Sequence, residues 1–246
     1  MLTVAYLTSA DMVPGAPEAR GDLFELEHQL SALAPACLAR GIRLELRVWD
    51  HASLVGDVEN GHYSAVVVGT PWDYQERHEL FCALLDRMAD SVPVLNPPGV
   101  VRWNADKSYL RELERAGVPI VPTVWVDSVD DDTIALAHDA LQSDHLVAKP
   151  VVGAGAVRQI EVRRGEPLPP PALCPPAGAL VQPFMAAVQT EGELSFVYCG
   201  GRFSHALVKA PASGDYRVQS VYGGVERVYR PSAEEQACAR AVVEAV

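Results

Sequence analysis

The sequence predicts an α/β protein of two parts: a parallel sheet with crossover helices over the first hundred residues, then an α+β region of mostly antiparallel strands. Three observations lead there. Apolar strand-like runs alternate with helical periods up to residue 95, the order that builds parallel sheets. Beyond residue 179 the strand-like runs follow one another directly and turn at Gly200-Gly201 and Gly223-Gly224, as hairpins do. The 246 residues are 49% hydrophobic and 21% charged, which is enough apolar material to fill a globular core.

Taken in order, residues 4–7 are a short apolar strand. Leu23, Leu26, Leu30, Leu33, Cys37 and Leu38 recur at helical spacing, with Gly41 as a stop signal. Residues 44–49 alternate like a strand and 65–69 form a continuous apolar run. Phe81, Leu84, Leu85 and Met88 mark an amphipathic helix, and the strand 92–95 ends at Asn96-Pro97-Pro98. Asn104 is read as a helix N-cap, with Leu110 and Leu113 on one face and Gly117 as terminator. The stretch 118–126 is β-rich but broken by Pro119 and Pro122, and 134–141 reads as helix. Strands are expected at 145–149, 159–162, 179–184, 193–198 and 202–209, and 217–221 is expected to pair with 225–229. The proline-rich stretch 166–178 is an irregular connection. Ser232 with Glu235 three residues on is a capping box that opens a helix running to Val246.

Composition also excludes functions. A net charge of −12 repels nucleic acid and anionic membranes, so neither is an expected partner. No run of apolar residues is long enough to span a bilayer. The N-terminus lacks the basic segment of a signal peptide and reads as a core strand. The five cysteines are scattered, without a C-x-x-C pair, which fits a reducing cytoplasm rather than a disulfide framework or structural zinc.

Three constellations can carry chemistry. Lys149 ends a strand and precedes Pro150 and the loop Val151-Val152-Gly153-Ala154-Gly155-Ala156. Glycines let backbone N–H groups approach a phosphate, and a lysine at the loop's base neutralises it as a point charge. By itself the pattern is equally a solvated lysine before a turn. The apolar run ending in Gln182-Pro183-Phe184, followed by Glu191-Gly192-Glu193, can present backbone groups to a purine edge and a carboxylate to ribose hydroxyls or a metal. By itself it is a buried strand leaving the core at a proline. Lys209 and Arg217, read as lying on flanking strands joined by a short turn, can converge on a phosphoryl group, or they are exposed cations on a hairpin.

The order of these pieces resembles the ATP-grasp superfamily. It looks most like the branch with prokaryotic glutathione synthetase, ribosomal-protein glutamate ligases and the cycloserine-forming cyclo-ligase. The matching segments are Pro71-Trp72-Asp73-Tyr74, Trp103-Asn104-Ala105-Asp106-Lys107-Ser108-Tyr109-Leu110, Gly117-Val118-Pro119-Ile120-Val121-Pro122-Thr123, Val147-Ala148-Lys149-Pro150-Val151-Val152-Gly153, Gln182-Pro183-Phe184, Glu191-Gly192-Glu193-Leu194-Ser195 and Gly214-Asp215-Tyr216-Arg217. They cover most of the chain from residue 71 onward. The Trp-Asp-Tyr and Glu-Gly-Glu-Leu-Ser segments are similar to the cyclo-ligase group.

The resemblance implies a division into an N-terminal domain at 1–100, a small ATP-binding subdomain with the glycine loop at 101–185, and the start of a C-terminal subdomain at 186–246. It implies that Lys107 and Lys149 bind the phosphates of ATP, that Gly153, Ala154, Gly155 and Ala156 fold over them, and that Gln182, Pro183 and Phe184 face adenine. Glu193 would lie near ribose or substrate. Lys209 and Arg217 would hold the transferred phosphoryl group and the carboxylate, and Trp72 and Asp73 would help shape the substrate site. The implied reaction is ATP-dependent ligation of a small amino-acid-like carboxylate to an amine nitrogen, within one molecule in the cyclo-ligase case. A homodimer is compatible with the family. The family's magnesium ligands lie beyond the helix that opens at Ser232, so this chain is expected to be a fragment or a truncated, inactive relative, with no metal ligands of its own. A non-catalytic nucleotide-binding protein is the alternative from another class.

Overall fold

The computed structural model describes residues 1–246, which divide into two compact units, Met1–Ala105 and Asp106–Val246.

The first unit runs β1 (Leu2–Thr8), α1 (Leu23–Leu38), β2 (Ile42–Val48), α2 (Leu54–Glu59), β3 (Ala65–Thr70), α3 (His78–Ala89), β4 (Val94–Leu95) and α4 (Pro98–Ala105). The four strands are parallel in the order β2-β1-β3-β4, as the strand–helix alternation predicts. Alternation along β1 decides what covers each face. Ala5 and Leu7 join Trp49, Leu54, Val58, Phe81, Leu85 and Met88 in one core. Tyr6 turns to the other side with Met12 and Leu26 of α1. Full burial of each large apolar side chain stabilises the unit by about 1.5–3 kcal/mol. Gly69 is required on β3, since a Cβ there would lie 2.1 Å from the Tyr6 ring. The periodic set on α1 is only partly buried: Leu26 is fully buried, while Leu33 and Leu38 remain exposed.

The second unit continues with α5 (Tyr109–Arg115), β5 (Val124–Val126), α6 (Asp131–Leu141), β6 (His145–Pro150), β7 (Ile160–Arg163), β8 (Ala179–Pro183), α7 (Ala187–Thr190), β9 (Glu193–Cys199), β10 (Arg202–Ala210), β11 (Val225–Tyr229) and α8 (Ala233–Glu244). Its strands form two antiparallel sheets, ordered β5-β8-β6-β7 and β11-β10-β9. α6 lays Ile134 and Ala137 on Leu146, Ala148 and Val181 of the first sheet. The capping box at Ser232 forms as read: the Glu235 carboxylate accepts from Ser232 N at 2.7 Å, and Ser232 Oγ accepts from Glu235 N at 3.2 Å. A second box, Asp130 with Thr133, starts α6 three residues before the apolar period reveals it.

Three expectations are corrected. Asn104 lies inside α4 rather than capping a helix. Only the last three residues of the β-rich stretch 118–126 pair, since Pro119 and Pro122 have no N–H to give. Residues 217–221 form no strand: β11 pairs with β10, placing Glu226 opposite Lys209. The Asp215 carboxylate accepts the N–H groups of Tyr216 (2.7 Å) and Arg217 (2.9 Å), taking them from any ladder. Gly224 N then bonds back to Gln219 O, where a Cβ on Gly224 would lie 2.0 Å from Val218 O.

Candidate functional site

The site gathers in the second unit. Lys149 sits near the end of β6, opposite Leu180 on β8, and its ammonium donates to Gln182 Oε1 at 3.0 Å. The Gln182 amide is oriented in turn: its Nε2 donates to Thr123 Oγ1 at 2.9 Å, and Thr123 Oγ1 donates to Val121 O at 2.7 Å. Lys107 reaches the same loop from its other side. Its backbone N bonds Val151 O at 2.9 Å, Asp106 bridges to Val152, and Lys107 Nζ donates to Gly153 O at 2.6 Å. Gly153 lets the loop pass close: a Cβ there would come within 2.9 Å of Pro150 Cγ and would have to displace the proline ring.

Neither lysine is ion-paired. Burial pushes the Lys107 ammonium down to about 8, and the positive charge of Lys149 adds to the effect against a smaller opposing pull from Asp106. Burial also lowers Lys149, opposed by the negative charge of Glu193. Two half-buried cations without carboxylate partners make a locally positive site in an acidic chain.

Beside Lys149 opens a cavity of roughly 250 Å³, lined also by Gln182, Pro183, Phe184, Glu193 and Arg217. The Phe184 ring is stacked on His145 (centroids 4.0 Å apart, 9° between planes), with Tyr216 edge-on at 5.6 Å. Arg217 donates to both oxygens of Asp215, at 2.8 Å from Nη2, and its guanidinium lies 3.6 Å from the centre of the Tyr222 ring. That grip, with the two backbone N–H groups, holds the Asp215 carboxyl well below the usual range. Of the glycine loop, Ala156 lines the cavity; Gly155, Ala156 and Arg158 all have left-handed backbones (φ +63°, +59° and +54°).

The structure thus brings together Lys149, Ala156, Gln182, Pro183, Phe184, Glu193 and Arg217, and sets Lys107 on Gly153. Ala154 and Gly155 stay exposed along the loop. Lys209 does not line the cavity. It is paired with Glu226 at 3.5 Å and stands opposite Glu193 in the ladder, on the sheet face that Glu193 shares. Arg217 reaches the cavity from an irregular segment, not from the expected strand. Thr123 and Tyr216 fall within segments that carry the resemblance but had no assigned role, and Gln159 and Gln219 were not singled out in the sequence. Gln219 is the most informative, for its Oε1 is buried without a partner. Only its place two residues after Arg217 was visible in the sequence. No three His, Cys, Asp or Glu side chains cluster as metal ligands.

In the first unit, Trp72 and Asp73 follow β3 at the C-terminal edge of the parallel sheet, where open sheets bind ligands. Asp73 accepts from Trp49 Nε1 at 2.6 Å and pairs with Arg77 at 3.6 Å, while the Arg20 guanidinium lies 5.7 Å from the Trp72 ring centre. No helix is long and apolar enough to cross a membrane.

A parallel α/β unit followed by two antiparallel sheets is a fold that this chain shares with ATP-grasp ligases. The chain covers 98% of itself and 81% of the ATP-grasp ligase PsnB, solved with a phosphomimetic variant of its minimal precursor, Mg and ADP, at TM-score 0.56 and 17% identity. Within that class it resembles the cycloserine-forming group. Residues 4–96 match the family described as D-cycloserine synthetase DcsG, N-terminal domain. The cycloserine biosynthesis protein DcsG of Streptomyces lavendulae is 29% identical over 193 residues, 75% of this chain and 63% of that protein. The crystal structure of D-cycloserine synthetase DcsG superposes with TM-score 0.79 at 25% identity, covering 99% of this chain and 80% of the other. The sequence alignment therefore spans less than two thirds of the curated relative's length.

Proposed function

We propose that this chain carries the nucleotide site of an ATP-dependent carboxylate–amine ligase. The observation that carries the reading is the pair Lys107 and Lys149: two half-buried ammonium groups, each bonded to a neutral oxygen and neither neutralised, on the two sides of one glycine loop. Bound polyphosphate would relieve the cost of both charges. The cavity beside them is smaller than the ~300–1,000 Å³ of typical ligand pockets. It suits a nucleoside end, with the phosphates lying along the loop.

In this reading Gln182, Pro183 and Phe184 hold the base, Glu193 the ribose or substrate, and Gly153 to Ala156 close over the phosphates. Arg217 and Lys209 receive the transferred phosphoryl group and the carboxylate, Lys209 by exchanging Glu226 for it. Trp72 and Asp73 help shape the substrate site. The substrate carboxylate oxygen forms a bond to the γ-phosphorus as the bond to the bridging oxygen of ADP breaks. An amine nitrogen then attacks the acyl carbon, expels phosphate and loses a proton, leaving an amide. The proposal extends to the case in which nitrogen and carboxylate belong to one amino-acid-like molecule, so that a ring closes. Positioning and cationic charge supply the catalysis. Magnesium entering with ATP would be held mainly by the phosphates, with Glu193 the carboxylate that lines the cavity, and would supply further positive charge there.

Calorimetric titration with ATP and magnesium tests the reading, and micromolar to millimolar affinity is expected. Lys149→Ala should abolish it, together with substrate-dependent ADP release in the complete enzyme. A wild-type chain without ATP affinity, or a variant that binds as well as its parent, would overturn the assignment.

A further inference from the structure

We infer that Tyr222 is a positioning residue that ties the glycine loop to Arg217, so that placing the loop and placing the arginine are a single event. This rests on the nucleotide reading above. The Tyr222 hydroxyl donates to Gly155 O at 3.2 Å, across 67 residues of sequence. Its ring lies 3.6 Å from the Arg217 guanidinium, whose far end is held by Asp215. One side chain therefore touches Arg217, which lines the cavity, and Gly155, the loop residue beside Ala156, which lines it too.

Tyr222 can hold both because it is itself held. Its N bonds Gln219 O at 2.9 Å, Gly223 N bonds Ser220 O at 2.9 Å, and the turn closes at Gly223 (φ +83°). The loop, by contrast, is poorly supported: Ala156 and Arg158 sit in left-handed conformations that cost non-glycine residues energy. Within residues 154–159 the loop makes two bonds of its own, Val157 N to Ala154 O and Gln159 N to Ala156 O. The Tyr222 bond is what reaches Gly155 from the rest of the unit. Because a trans peptide is planar, fixing the Gly155 carbonyl turns the Ala156 N–H the opposite way. Tyr222 thereby sets the direction of a backbone donor beside the cavity as well as the plane of the arginine.

Trypsin reads this directly, for Arg158 lies exposed in the loop. Without nucleotide, Tyr222→Phe keeps the ring but loses the bond, and should speed cleavage after Arg158 by roughly threefold to tenfold, the worth of one such bond in loop opening. Its thermal midpoint should stay at the wild-type value. Tyr222→Leu, which also loses the ring, should cleave at least as fast and should add a fall in kcat to the raised KM for ATP shown by the Phe variant. Wild-type cleavage rates in the Phe variant would overturn the inference, even if the Leu variant failed to fold. Because cleavage is measured without ATP, it fails or succeeds separately from the nucleotide reading, which falls if the wild-type chain binds no ATP.

Discussion

Lys149 and Gln182 are diagonal neighbours on one face of the β6–β8 ladder, joined by a 3.0 Å bond from ammonium to amide oxygen. Gln182 is buried, so its other end must be satisfied as well, and Thr123 accepts that bond at 2.9 Å. The cation's position is thus set by a threonine on neither strand.

Thr123→Val keeps the shape and removes the acceptor. The freed amide loses its orientation, and ATP binding should weaken by about threefold to tenfold, the range of one neutral hydrogen bond. Thr123→Ser should restore it. Calorimetry on the three proteins decides the matter, and equal affinities would dissolve the relay.

Lys107 makes nucleotide binding depend on pH. Its folded value of about 8 lies below its ordinary 10.5, so between the two the unfolded chain holds more protons than the folded one. The cost of the buried charge is therefore present in full below about pH 8, and stability gains from this group as pH rises from 8 towards 10.5. Nucleotide binding has the opposite sign: phosphate favours the protonated lysine, so affinity should fall above pH 8 and binding near pH 8–9 should take up protons. Titrations in buffers of different ionisation enthalpy measure the uptake. Lys107→Met should remove most of it, and an unchanged uptake would assign it elsewhere.

Gly192 precedes β9 with φ +90°, and an added Cβ would lie 2.6 Å from Val208 Cγ2 and 2.8 Å from Lys209 O. Gly192→Ala should destabilise the second unit by about 1–3 kcal/mol from backbone strain, with the clash against Val208 and Lys209 adding to it. Denaturant unfolding followed by a probe in that unit would show it. A variant as stable as its parent would mean that β9 enters the sheet by another path.

Asp215 is held ionised by Arg217 and two backbone N–H groups. A depressed carboxylate contributes stability that is present above its unfolded value and lost as pH falls through its folded one. Asp215→Asn should therefore be less stable than the parent by a constant amount from pH 7 to 5. The gap should close only in strong acid, below the usual carboxylate range. A gap that closes by pH 5 would contradict the contact.

Much of this protein was written locally. Short apolar runs located β1 and β3, alternation located β2 and helical period α3, the Ser232–Glu235 box located the start of α8, and the lysine before two glycines marked the loop. Each of these signals is carried by side chains within a few residues of one another, where chain geometry alone dictates the outcome. The partner of β11, the loop conformation of Arg217, the ion pair that occupies Lys209 and the reach of Tyr222 to Gly155 were settled only when distant segments packed. Which strand edge lies free, and which carboxylate captures a backbone N–H first, depends on three-dimensional competition that no spacing along the chain encodes.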